Sequence, residues 1–503
     1  MGPLALALDL GTGGCKASLW SAEGRSVAET VVGYPTRHPA PGRSEQRPQE
    51  WWDAVASATR TVLADVPGAR EAVIGIALSG QSLGVVQVDG SGELVAPSTP
   101  IWSDTRGDAG TVFSRIDEEA WYLRTGNGFG AALYPVFKAR TLRAEDPEGW
   151  AHTRVLLGSK DWITLRLTGE IATDHSMASG TGAYDLATGA YDAEVLDAAG
   201  LDASLFARPR ESAEIVGTLR LDAAEALGLP EGVPVHAGAV DNAAMALGSR
   251  GTRDGRIYAA LGSSSWMTVT SSAPVVDVAT RPYVFRHAVP GLYVSALSTF
   301  SSGTTLTWLR DVLAPGVDIG ELIARADDSP RGARGCVLVP TLAGGTPLEG
   351  GSTVRGALQG LELGTGPGDL IRACLEGVSF ALDRSLRHIR ALSGLAADAD
   401  LLVSGGGSRS AVWNRIYADV LDTPLLRTSV DQQAATLGAA ALVFVGSGTW
   451  SSFDAVDDAH VEIERITPDP EGVAAYAALR EHFDAAADAA VLFARSSPVK
   501  ETP

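Results

Sequence analysis

Residues 4–21 constrain the fold more than any other stretch: LALALD, then a turn through GTGG, then KASLWS. An apolar run ending in a single Asp suits a strand buried on both faces, and only glycines make so tight a corner without strain. AEGR turns the second strand into VAETVVGY at 27–34, so the chain opens as an antiparallel meander. That order excludes a Walker loop and a dinucleotide fingerprint, because both run from a strand into a helix. IYAALGSSSWMTVT at 257–270 repeats the pattern of apolar strand, small-residue turn and apolar strand. Two such hairpins facing each other could cradle phosphate with backbone N–H groups, although each alone also reads as an ordinary hairpin turn.

The chain has 503 residues, more than one core usually fills, so at least two lobes are expected. GSRGTRDG at 248–255 reads as the joint, giving an N-terminal lobe 1–248 and a C-terminal lobe 249–503. Helical spacing predicts helices at 48–66, 107–124, 159–167, 191–199, 301–313, 368–393, 410–421 and 431–446. EAVIGIALSG at 71–80 and LLVSGGG at 401–407 read as strands, the latter running into a glycine turn. The class is mixed α/β, and the polar tail 496–503 is expected to fray.

Charge and cysteine usage exclude several functions. With 40 basic and 60 acidic residues the net charge is −20, and no basic patch stands out, so neither nucleic acid nor an anionic membrane is an expected partner. Cys15, Cys336 and Cys374 fit neither a disulfide framework nor zinc spacing, which points to a reducing, cytoplasmic setting. The apolar run 434–445 is too short for a membrane span, which needs about 20 residues. His38, His152, His175 and His236 lack ligand spacing, and Trp51 and Trp52 read as helix-packing residues.

Nine segments together resemble one family. They are DLGTGGCK (9–16), EQRPQEWW (45–52), SGQSLG (79–84), IWSDTR (101–106), GAVDNAAMALG (238–248), LGSSSWM (261–267), SGTTLTWLRD (302–311), RGALQGLELGTGPGDLIRACLEG (355–377) and SGGGSRSAVWN (404–414). In this order and spacing the chain is similar to the FGGY carbohydrate kinases, most of all to their xylulokinase-like members. The resemblance runs over nearly the whole chain. It implies two ribonuclease H-like domains of the actin-like ATPase and sugar kinase fold, with ATP and a sugar or polyol meeting in the cleft between them. ATP and Mg²⁺ are the implied cofactors, and a homodimer is left open.

Transfer of a γ-phosphoryl group needs N–H donors around its oxygens, a metal ion and a base for the attacking hydroxyl. By resemblance, Thr12, Gly13 and Lys16 of the first turn and Gly262, Ser263 and Ser264 of the second bind ATP, and Asp9 holds the metal. Gly303, Thr307, Gly405, Gly406, Gly407 and Ser410 are implied to flank the adenosine. The residues themselves leave Gly303 open as a helix-packing glycine. Gln81, Ser82, Leu83, Trp102, Asp104, Asp241 and Asn242 are the implied sugar contacts. Asp241 alone could be a helix cap; the resemblance makes it the catalytic base.

The sugar pocket departs from the family pattern. After the Gln of SGQ, xylulokinases place Met-His and glycerol kinases Arg-Glu, where this chain has Ser82-Leu83. Leu83 cannot bond a hydroxyl, and a buried hydroxyl without a partner costs about 1–3 kcal/mol. The segment around Lys138 lacks the family's Trp, and Cys374 is a further departure. IWSDTR and TGN at 125–127 nevertheless favour a pentulose such as D-xylulose over glycerol, with ribulose, gluconate and tetritols as alternatives. A second class, an actin-like regulator that binds ATP without phosphorylating anything, is disfavoured by the presence of Asp241.

Overall fold

The glycine corner forms the hairpin it dictates. The computed structural model describes residues 2–395 and 399–496. In it, β1 (Leu4–Leu10) and β2 (Gly14–Ser21) pair antiparallel, with Asp9 opposite Lys16, and β3 (Ser26–Gly33) completes the meander. The Gly11 N–H donates to the Gly14 carbonyl at 3.0 Å and closes the turn. A Cβ on Gly14 would lie 2.7 Å from the Val32 carbonyl, so no larger residue fits there. Next comes α1 (Pro48–Asp65), opened by a proline at its first position. It buries Trp51, Val55 and Val62 in the cluster that includes Leu6 and Leu8 of β1.

β4 (Val73–Gly80) returns parallel to β1, and α2 (Ser159–Thr168) follows. The first lobe ends with β5 (Ile215–Thr218), β6 (Pro234–His236), β7 (Ala239–Val240) and α3 (Asp241–Gly248). Its sheet order is β5-β6-β4-β1-β2-β3, with β7 also paired to β4. In the second lobe come β8 (Ile257–Leu261), β9 (Ser265–Ser271), β10 (Tyr283–Arg286), β11 (Tyr293–Thr299), α4 (Gly303–Leu313) and α5 (Pro367–Ser393). They are followed by β12 (Leu401–Ser404), α6 (Ala411–Leu421), β13 (Leu425–Thr428), α7 (Ala434–Gly446), β14 (Glu462–Ile466) and α8 (Pro470–Ser496). This sheet runs β10-β11-β9-β8-β12-β13-β14.

The two sheets share one grammar. From β3 through β2, β1, β4 and β6 to β5, the pairings are antiparallel, antiparallel, parallel, parallel, antiparallel. The same succession recurs from β11 through β9, β8, β12 and β13 to β14. The echo at 257–270 is therefore the legible end of a repeat of whole sheets, and the two-lobed ribonuclease H-like architecture is present.

Between the sheets lie α3 and α7. Their Ala243, Ala246, Leu437 and Ala440 share one buried cluster with Ala5, Ala7 and Ala77 of the first sheet and Tyr258, Leu402 and Leu426 of the second. The helices touch backbone to backbone: a Cβ on Gly248 would sit 1.7 Å from the Ala434 carbonyl, and one on Gly438 would sit 2.0 Å from that of Ala244. The apolar run 434–445 is thus a helix buried on every side. Among the described residues, no helix is long and apolar enough to cross a membrane.

One expected helix is broken. The 107–124 stretch forms two, Ala109–Phe113 and Glu118–Thr125, because Asp108 and Asp117 each accept N–H groups as separate caps. The fraying expected at 496–503 lies outside the described residues except for Ser496, which closes α8.

Candidate active site

Three parallel strands end at the same level. Leu10 of β1 and Val240 of β7 both pair with Gly80 of β4, so Asp9, Gln81 and Asp241 come together at the carboxyl edge of the sheet, where α/β sheets place ligands. Asp241 is the first residue of α3, but Val240 occupies the cap position and offers no side chain to it. The Asp241 carboxylate accepts the N–H of Asn242 at 2.8 Å. Burial, and then the like charge of Asp9, push its pKa up to about 7, against the lowering effect of that bond. Asp9 accepts the Ser79 hydroxyl at 2.7 Å; burial raises its pKa, opposed by Ser79 and by Lys16.

The turn after β1 exposes Thr12 and Gly13. The indole N–H of Trp102 donates to the Thr12 hydroxyl oxygen at 2.8 Å, and Lys16 reaches across the lobes to the Gln432 carbonyl at 2.7 Å. In the second turn Gly262 and Ser263 are exposed, and Gly262 N–H bonds the Ser264 carbonyl at 3.0 Å. The start of α4 clasps this turn: Ser302 and Thr304 donate to the Ser263 carbonyl, and Gly303 donates to that of Gly262. A Cβ on Gly303 would come within 2.7 Å of Gly262 O, so this glycine permits the clasp. The exposed Thr307 hydroxyl bonds back to the Gly303 carbonyl.

Beside this turn runs the triple glycine. Gly405, at φ 92°, donates to Asp431 at 2.9 Å, and a Cβ on it would meet the Leu261 carbonyl at 2.6 Å. Gly407 packs on Leu261, whereas Gly406 faces open space. Ser410 caps α6 by accepting the Trp413 N–H. The second turn, α4 and the triple glycine thus form one continuous wall.

Of the residues expected on the sugar side, Trp102 is 43% exposed, and Ser82, Asn242 and Asp241 keep partial access to solvent. Gln81 is buried and donates to Gln46 at 2.8 Å. Two expectations need correction. Asp104 is 0% exposed, and its oxygens are taken by the Arg106 guanidinium and by the N–H groups of Ser44 and Arg106, so it is a buried ion pair and not a free sugar ligand. Leu83 is only 8% exposed and joins the apolar cluster of Val85, Trp121 and Phe137, so its side chain belongs to the core.

Leu83 stands at φ 58°, a conformation that strains a bulky residue. It is held there by the buried Lys138, whose ammonium donates to the carbonyls of Leu83 (2.9 Å) and Ile101 (2.7 Å). Burial pushes this lysine down to about 7. Sequence reading missed that tie, and it missed the support under Asp241. Lys160 bonds Asp161, Asp174 and the Ala237 carbonyl, while Ser176 accepts the Val240 N–H. In the sequence, Lys138 follows the uncharged run 125–137, whereas Lys160 sits directly beside Asp161.

Two repeated sheets around a closely packed helix pair, with a glycine turn from each lobe and the half-buried Asp241 carboxylate at the sheet's carboxyl edge, define the class of two-lobed actin-like phosphotransferases. The chain belongs to the FGGY family of carbohydrate kinases: the family's N-terminal domain matches residues 4–248 and its C-terminal domain matches 257–447. The xylulose kinase of Escherichia coli strain K12 is 30% identical over 485 residues, 95% of this chain and 97% of that one. That of Lactococcus lactis subsp. lactis strain IL1403 is 28% identical over 476 residues, 94% of each. Among solved structures, xylulose kinase from Rhodospirillum rubrum superposes with a TM-score of 0.89 at 29% identity, covering 98% of this chain and 100% of that one. The chain is thus an ATP-dependent carbohydrate kinase.

Proposed function

We propose that the kinase phosphorylates a pentulose, D-xylulose first among candidates, with Asp241 as the base that takes the proton of the attacking hydroxyl. The observation that carries this is the Asp241 carboxylate, placed at the carboxyl edge of the sheet and shifted to a pKa of about 7, where a base both accepts and releases a proton. Ser82, Trp102 and Asn242 orient the sugar from the N-terminal lobe. The exposed Thr12–Gly13 turn and the Gly262–Ser264 turn, the latter through Ser263 and Ser264, hold the phosphates from opposite sides, with Lys16 adding charge. Gly405 to Gly407, Gly303, Thr307 and Ser410 form the adenosine wall.

Two carboxylates in one cleft, one destabilised by the other, suit a divalent cation. Among the described residues no group of three or more acidic, His or Cys side chains could hold a metal, which fits Mg²⁺, an ion that takes one or two carboxylates and completes its shell with water and phosphates. Asp9 would be its main protein ligand, and bound there it would neutralise charge developing on the phosphate oxygens. In this reading 1–248 and 249–503 are the working lobes, which close on both substrates to exclude water, and the protein acts in the cytoplasm.

ADP release measured across D-xylulose, D-ribulose, gluconate, glycerol and tetritols tests the assignment. The highest kcat/KM is expected on D-xylulose. A tenfold preference for another polyol would reassign the substrate, and ATP binding with no stimulation by any of them would favour a nucleotide-binding scaffold.

A further inference from the structure

EQRPQEWW at 45–52 contributes none of the expected contacts, yet it supplies the best-connected amide in the cleft. Gln46 is 0% exposed and uses all four of its hydrogen-bonding positions. Its oxygen accepts from the Trp51 indole N–H at 2.9 Å and from the Gln81 amide at 2.8 Å. Its nitrogen donates to the Thr12 carbonyl at 2.7 Å and to the Thr36 hydroxyl at 2.8 Å. The orientation is fixed by chemistry: an indole N–H can only donate, so the atom facing Trp51 must be the oxygen, and the NH₂ must face Thr12. Gln81 in turn must present its NH₂ to Gln46. Trp51 is itself immobile, fully buried on α1 and edge-on to Trp162 with ring centroids 6.5 Å apart.

We infer that Gln46 is a positioning residue that locks the Thr12–Gly13 turn to Gln81 and so fixes the phosphate-holding amides relative to the carboxyl edge carrying Asp241. Thr12 is then held at two points, its carbonyl by Gln46 and its hydroxyl by Trp102. Held at both points, the exposed Thr12 is restrained from rotating within the turn. This rests on the reading of that turn as a phosphate cradle.

The test compares Gln46→Glu, which keeps the shape and both accepted bonds but loses both donors, with Thr36→Val, which removes one acceptor of the Gln46 NH₂ and leaves the bond to the Thr12 carbonyl in place. ADP affinity is measured by calorimetry without sugar, alongside sugar-dependent turnover and thermal unfolding. Gln46→Glu is expected to lower kcat at least tenfold and ADP affinity at least fivefold, with the sugar KM within threefold, while Thr36→Val leaves all three within twofold. Kinetics and ADP affinity of a folded Gln46→Glu protein within twofold of the parent would overturn the inference, as would equal losses in Thr36→Val. If Gln46→Glu does not fold, Trp51→Phe, which frees the amide to flip, decides: a threefold or greater loss of ADP affinity supports the inference and an unchanged affinity overturns it. A parent protein that binds ADP but turns over no polyol refutes the proposed function instead, and the ADP affinities alone then judge Gln46.

Discussion

If Asp241 is the base proposed above, activity and stability depend on the same proton. Its pKa rises from 3.8 unfolded to about 7 folded, so the folded state holds a proton that the unfolded state has released between those values. Stability from this group is intact below pH 3.8 and falls as pH rises through the window to 7. Asp241→Asn removes that penalty, so its melting temperature should exceed the parent's at pH 8, by at least about 1 kcal/mol in stability, with the gap closing toward pH 4. Melting curves at the two pH values check this; equal gaps at both would show that Asp241 ionises normally. Gly406 makes the complementary nucleotide prediction. It faces open space, so Gly406→Val fits the free protein but projects from the proposed adenosine wall. The KM for ATP should rise about tenfold or more with the sugar KM unchanged, measured by steady-state kinetics.

At the scale of elements, the crossing of α3 and α7 is the most demanding contact in the fold. Gly438→Val would drive a side chain into the Ala244 backbone, 2.0 Å away already at Cβ, and should destabilise the protein by at least about 2 kcal/mol in denaturant unfolding. What the sequence revealed follows from how local each signal is. The first meander, α1, α5 and the second hairpin were readable because glycine corners and helical spacing act within a few residues. Asp104 was misassigned because its partner Arg106 lies two residues away in the same motif, and nothing in the motif says whether the carboxylate faces the cleft or the guanidinium. Leu83 was misjudged because its direction depends on a left-handed backbone that Lys138, 55 residues on, enforces. β10, β11 and α8 escaped prediction altogether, although Pro470 followed by Glu471 and an alanine-rich stretch was a usable helix start for α8.

Across the whole molecule, the two lobes are held by the α3–α7 core and by polar bridges, among them Lys16 to the Gln432 carbonyl and Gln433 to Glu29 at 2.8 Å in the cleft, and, elsewhere, the Tyr122 hydroxyl to the Pro282 carbonyl and the Tyr293 hydroxyl to the Leu186 carbonyl. The two cleft bridges meet the loop that leads from Asp431, the anchor of Gly405, into α7. Each lobe thus brings one glycine turn, and Asp241, the proposed base, stands at the start of the helix at their junction. That division makes the central claim directly measurable: purified parent and Asp241→Asn proteins are compared for D-xylulose-dependent ADP release and for ATP affinity. The account predicts a kcat lower by about 10²–10⁴ in the variant with ATP affinity within twofold of the parent, because Asn keeps the shape and cannot take the proton. Near-parental turnover in the folded variant would contradict it.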